Sequence, residues 1–266
     1  MSNFVVDFSP TILSLGPVQL RWYSLMYVIG YVMGGQLAKK LVREGFFKVP
    51  EKQVDELVTT LFIGMLLGAR FFYVVIYNWS FYKSQSFTEM FAIWHGGLSF
   101  HGAIVGFIIA GFVFAKRNNV SWFQVMDVLT LVGTPGLFFG RLGNFMNGEL
   151  YGRVSDVPWA MIFPAGGPSP RHPSQIYEAL TEGLILAIIV WVMYKKKLVK
   201  SYGIIAFTFC VGYGVFRFIV EFFREADAQL GYYFNGMFTM GQILCFIMII
   251  FGTIGILYSK KAQIEN

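Results

Sequence analysis

Apolar residues in this chain come in runs long enough to cross a bilayer, and polar residues collect between the runs. A helix rises about 1.5 Å per residue, so some 20 apolar residues span the hydrocarbon layer. Seven such runs predict helices at about 18–38, 54–77, 98–115, 122–147, 175–194, 202–223 and 237–258. The connection at about 148–174 carries Pro158, Pro164, Gly166, Gly167, Pro168, Pro170 and Pro173. That composition forbids a regular helix throughout and predicts a small cap on one face. The connection at about 78–94 is aromatic, with Trp79, Phe81, Tyr82, Phe87, Phe91 and Trp94, as suits a membrane interface. No internal repeat is visible, which argues against an inverted-repeat transporter.

The connections after the first, third, fifth and seventh runs are basic. They hold Lys39, Lys40, Arg43, Lys48 and Lys52; Lys116 and Arg117; Lys195, Lys196, Lys197 and Lys200; and Lys260 and Lys261. These are thirteen of the 21 basic residues, against five on the opposite side: Arg21, Lys83, Arg153, Arg171 and Arg224. The asymmetry predicts an outer N-terminus and a cytoplasmic C-terminus. Arg70, Arg141 and Arg217 lie inside runs, about 24, 28 and 22 Å from the cytoplasmic start of each. His101 and Tyr23 open the third and first runs at the same outer level. Glu149, Glu178, Glu182, Glu221 and Arg224 lie at or just beyond outer ends. The expectation is a polar layer at outer-leaflet depth with surplus positive charge, a setting for phosphate. A cation or proton path would distribute acids through the full thickness.

Composition fits this reading. The chain has 266 residues, of which 56% are hydrophobic and 14% charged, and its mean hydropathy is +0.58. A soluble domain carries about a quarter charged residues. The fold class expected is all-α, a polytopic integral membrane protein forming one domain over 1–266, with an outer cap at about 148–174. A net charge of +6 invites a nucleic-acid reading, but the basic residues sit between apolar runs, so no nucleic-acid partner is expected. Cys210 and Cys245 lie inside apolar runs, which disfavours a disulfide or cysteine metal site. No Lys or Arg precedes Arg21, so the first run lacks the charged region of a cleavable signal peptide and is expected to stay.

The densest candidate chemistry is in Gly140 to Arg153, reading GRLGNFMNGELYGR. An arginine inside an apolar run is costly and needs a reason. Arg141 suits two: a lipid-facing or Glu149-paired structural arginine, or a guanidinium that grips a phosphodiester. Gly140 and Gly143 permit close backbone approach, and Asn144 and Asn147 offer amide groups. Arg224 closes the sixth run in VEFFREADAQLG, with Glu221 on the same face; it too is a stop-transfer arginine or an anion contact. Arg217 and Glu221 have the spacing of a structural pair. His101, in HGGLSFHGAIVG, is a helix-start packing residue or a base of near-neutral pKa. His95 and His101 are six apart, about 240° on a helix, so they make no metal pair. His172, before Pro173 and Ser174, reads as structural. No G-x-S-x-G elbow is present, and no metal site is expected.

These residues leave three functions open: an anion-gripping lipid enzyme, a transporter or channel for an anionic solute or lipid, and a membrane scaffold whose arginines anchor lipid. In order along the chain, LRWYSLMYVIG (20–30), LSFHGAIVG (98–106), GRLGNFMNGELYGR (140–153), RHPSQIYEA (171–179) and VEFFREADAQLG (220–231) resemble the prolipoprotein diacylglyceryl transferase family. The resemblance implies a multi-pass protein of the bacterial inner (cytoplasmic) membrane, acting toward the outer leaflet, without a cofactor. It implies transfer of the diacylglyceryl group of phosphatidylglycerol to the lipobox cysteine of a prolipoprotein signal peptide, giving a thioether and glycerol phosphate. It carries the essential histidine to His101 and the two critical arginines to Arg141 and Arg224. It gives Arg141, Tyr23, Gly102, Asn144 and Glu149 to the phosphatidylglycerol site. One departure stands out: Ala103 replaces the family's usual second glycine after the histidine. His95 stands where the family varies, so it is given no catalytic part.

Overall fold

The computed structural model describes residues 3–15, 18–93, 96–225, 232–233 and 238–264. Trp94, His95 and the part of VEFFREADAQLG beyond Glu225 lie outside the described residues. Helices appear where the seven apolar runs predict them. They are α1 (Trp22–Arg43), α2 (Lys52–Phe72), α4 (Phe100–Arg117), α5 (Trp122–Met146), α6 with α7 (Ser174–Glu178, Leu186–Lys195), α8 (Ile204–Val220) and α9 (Met240–Ile264). A short α3 (Trp79–Tyr82) lies in the aromatic connection. Among the described residues, four helical stretches are long and apolar enough to cross a membrane: Lys52–Tyr77, Trp122–Met146, Ser174–Lys195 and Met240–Lys261.

The all-α expectation needs one correction, because three two-stranded pairs are present among the described residues. Strand β1 (Phe4–Val5) pairs in parallel with β4 (Met161–Ile162), Phe4 opposite Met161. Strand β2 (Thr11–Leu15) pairs antiparallel with β3 (Val18–Arg21), and β5 (Tyr232–Tyr233) with β6 (Phe238–Thr239). The glycines and prolines of the cap rule out helix, yet its backbone groups still need partners, so short extended pieces pair with one another.

The chain forms two compact units, residues 38–128 and residues 1–37 with 129–266. In the first, α2 and α4 pack through small residues on both sides. A β-carbon on Gly106 would collide with the Gly64 carbonyl oxygen, and one on Gly68 with that of Gly102. Four-residue spacing puts these glycines on one face of each helix, so the backbones meet directly. Ser99 fixes the start of α4: its hydroxyl accepts from Gly102 N at 3.1 Å, and its own N–H donates to Ala69 O at 3.0 Å.

Arg70, buried near the end of α2, holds the following connection in place. Its guanidinium donates to the carbonyls of Met90 (2.9 Å), Glu89 (2.8 Å), Gly96 (2.6 Å) and Gly97 (3.0 Å). Gly96 and Gly97 have positive φ, which turns the chain back into this grip. Beyond Phe72 the helix continues as a π-helical turn, Tyr73–Tyr77.

In the second unit, α5 meets the middle of Ser174–Lys195 at Gly183, where a β-carbon would lie 2.6 Å from Phe138 Cα. Trp191 Nε1 donates to Leu131 O on α5 at 2.9 Å. This stretch has its own π-helical turn, Ala179–Ile185.

Gly106→Val, which forces α2 and α4 apart, is expected to destabilise the protein by about 1–3 kcal/mol. Gly35→Ala, with nothing within 4 Å of the added carbon, should leave stability equal or slightly raised. Thermal unfolding in detergent checks both.

Candidate functional site

The second unit buries three carboxylates against three guanidiniums. Glu178 ends α6, Glu182 lies in the adjoining π-turn, and Glu221 directly succeeds α8. Arg141 comes from α5, Arg217 from α8, and Arg224 from the segment just beyond α8. Glu178 is fully buried and shared by all three arginines. Its Oε2 meets Arg141 Nε at 2.8 Å, and its Oε1 meets Arg217 Nη1 at 2.9 Å and Arg224 Nη1 at 3.1 Å. Glu182 lies 3.5 Å from Arg141 Nη2. Glu221 pairs with Arg217 at 3.1 Å and accepts from Thr239 Oγ1 at 3.0 Å. Charges this deep persist only when paired and hydrogen-bonded.

The surplus positive layer expected from the sequence is therefore corrected at this point: three acids balance three bases. Arg141 does not rest on Glu149. Its Nε and Nη2 face Glu178 and Glu182, while Nη1 has no partner among the described residues. The guanidinium is thus held in place from its side. Arg217, read from the sequence as a structural pair with Glu221, also braces Glu178.

The GRLGNFMNGELYGR segment folds back on itself beyond α5. Glu149 Oε1 accepts from Asn144 Nδ2 at 2.9 Å and from Asn147 Nδ2 at 3.3 Å. Gln175 Nε2 holds Glu149 O at 2.6 Å, and Ser174 Oγ holds Leu150 O at 2.9 Å. Tyr23 lies against Gly143, where an added β-carbon would come within 3.1 Å of its ring. Its hydroxyl is 2.8 Å from that of Tyr27. Tyr23, Asn144 and Glu149 are therefore gathered around one turn.

The cap fixes the backbone of Arg224. Gly152 bridges to it, Arg153 N donates to Phe223 O at 2.9 Å, and Arg153 Nε donates to Arg224 O at 2.8 Å. Arg171 donates to Gly152 O and Gly166 O and pairs with Glu225 at 2.8 Å. His172 packs edge-on against the rings of Tyr177 and Phe223. Trp159 Nε1 donates to Tyr177 Oη at 2.7 Å, and that oxygen lies 3.1 Å from His172 Nδ1. Burial pushes the His172 pKa below its ordinary value, against the pull of Asp156.

His101 and Gly102 belong to the other unit. His101 is exposed in the first turn of α4, with Nδ1 3.0 Å from Tyr77 Oη. Gly102 lies in the contact with α2, where a β-carbon would meet Gly68 O and Phe72. Sequence reasoning gave no functional part to Glu178, Glu182, Arg217 or Tyr77. A signal did exist for the acids: two glutamates one turn apart inside an apolar run.

Apolar helices around buried, mutually paired arginines and glutamates define a multi-pass membrane protein. The family model described as prolipoprotein diacylglyceryl transferase matches residues 10–258. A protein of Mannheimia succiniciproducens named phosphatidylglycerol–prolipoprotein diacylglyceryl transferase is 45% identical, over 98% of this chain and 97% of its own. Proteins of the same name from Nitratidesulfovibrio vulgaris (strain DP4) and Photobacterium profundum are each 44% identical. They cover 91% of both chains, and 96% of this chain with 94% of their own, respectively. The chain belongs to the prolipoprotein diacylglyceryl transferase family.

Glu178→Ala leaves three guanidiniums without their shared partner and is expected to cost about 3–5 kcal/mol. Glu51→Ala, at the solvent-exposed Arg43–Glu51 pair, should leave the melting temperature unchanged. Parallel melts of the two variants compare them.

Proposed function

We propose that this chain transfers the diacylglyceryl group of phosphatidylglycerol to the lipobox cysteine thiol of a prolipoprotein signal peptide, the first step of lipoprotein maturation. Identity of 44–45% to transferases of that name along nearly the whole chain carries this reading. It acts as one membrane domain of seven spans in the bacterial inner membrane, with N-terminus outside, C-terminus in the cytoplasm and the cap of residues 148–174 on the outer face. The basic connections support that orientation.

In the reaction, the sulfur forms a bond to a glycerol carbon and the bond from that carbon to the phosphate oxygen breaks. The electron pair leaves with glycerol phosphate. His101 takes the thiol proton, which ends on the released phosphate or on water. Arg141 holds the lipid phosphate through the free end of its fork, and Arg224 stabilises the charge that grows there. Tyr23, Asn144 and Glu149 form a polar wall for the headgroup. Gly102 contributes by letting α4 approach α2, which sets the first turn of the helix that carries His101. No cofactor takes part.

Incubation of purified protein with phosphatidylglycerol and a lipobox peptide is expected to give a peptide carrying one diacylglyceryl mass, with glycerol phosphate released. A Cys→Ser peptide should give none. Failure of a folded, lipid-loaded preparation to form the adduct would overturn the transferase reading.

In the same assay Arg141→Lys should lower turnover at least a hundredfold. A lysine ammonium has no planar fork to divide between carboxylates and phosphate. Wild-type turnover from this variant would remove Arg141 from the phosphate site.

A further inference from the structure

We propose that Tyr77 is a positioning residue for His101, fixing which ring nitrogen faces the substrate thiol. This inference rests on the transferase reading and on the base role of His101. The Tyr77 hydroxyl lies 3.0 Å from His101 Nδ1, and both side chains are exposed. A neutral imidazole carries its proton on one nitrogen only, so a partner that accepts from Nδ1–H leaves the lone pair on Nε2. The hydroxyl can donate to Nδ1 or accept from Nδ1–H; the role proposed here is acceptance, which holds the lone pair on Nε2, the nitrogen that takes the thiol proton.

The backbone around this pair is built for it. Tyr77 is the last residue of the π-turn Tyr73–Tyr77. Such a turn holds one extra residue, which shifts the residues C-terminal to it by about 100° around the axis. Helical side chains also lean toward the N-terminus, so Tyr77 reaches back along α2 toward the start of α4. His101 is fixed from the other side. Its neighbour Gly102 is pressed against Gly68, and Ser99 is tied to Ala69 O and caps the helix. The turn itself is braced: the Tyr73 ring packs on Gly97, and the Arg70 guanidinium lies 5.3 Å from the Tyr82 ring centroid. Two rigid helix ends thus present a hydroxyl and an imidazole at hydrogen-bond distance.

The test is Tyr77→Phe, which removes one exposed hydroxyl and leaves the ring. Turnover is expected to fall about tenfold, as for loss of one hydrogen bond in the transition state. KM for phosphatidylglycerol and the melting temperature should stay at wild-type values. On a His101→Gln background the same change should cost nothing further. In ¹⁵N-histidine-labelled protein, with the His101 signals assigned from His101→Gln, Tyr77→Phe should move the Nδ1 and Nε2 shifts toward a mixture of tautomers. A raised KM with unchanged kcat would reassign Tyr77 to lipid binding and overturn the proposal, as would unchanged histidine shifts. An inactive wild type would instead overturn the transferase reading, while the nitrogen shifts still report whether Tyr77 sets the tautomer.

Discussion

One buried carboxylate organises the second unit. Glu178 meets Arg141, Arg217 and Arg224, three residues from three stretches of chain, within 2.8–3.1 Å. Each guanidinium alone is costly at this depth, and so is the carboxylate. Together they neutralise one another and fix α5, α6 and the end of α8 in one arrangement. The side edge of Arg141 is spent on this structural duty, while Nη1 is kept apart from it. A guanidinium held so is oriented in advance: its direction is set by Glu178 and Glu182.

The cap acts on the same residues through the backbone. Gly152 and Arg153 bond to His172, Phe223 and Arg224, so the segment after Glu149 and the turn after α8 are joined by an isolated bridge. Gly152 has no room for a side chain there, since a β-carbon would lie within 2.7 Å of His172 O and collide with Phe223 O. Arg153 and Arg171, both counted by charge as outer basic residues, serve carbonyls and Glu225. Net charge in a membrane protein is thus a poor guide to which arginines remain for a ligand.

The helices were legible because a bilayer imposes length and apolarity on each one separately. Tyr23, His101 and Glu149 fall at helix ends where the hydropathy pattern put them. The strand pairs were not legible: two-residue strands such as Phe4–Val5 carry no period, and their partners lie far along the chain. The partner of Arg141 was missed for a related reason. Glu149 is near in sequence, but the approach of α5 to Gly183 brings Glu178 and Glu182 nearer in space. Gly102 shows the same limit. Its value to α4 depends on Gly68 of another helix, although the four-residue spacing of small residues was visible on both.

Arg70 lies seven residues before the end of the π-turn, about 10 Å back along the helix axis. The four carbonyls it binds are drawn to that level, so the connection after α3 folds back toward the body of α2. One side chain supplies these carbonyls with the donors that water would otherwise provide. Arg70 therefore holds a loop in place, and its charge marks an anchorage.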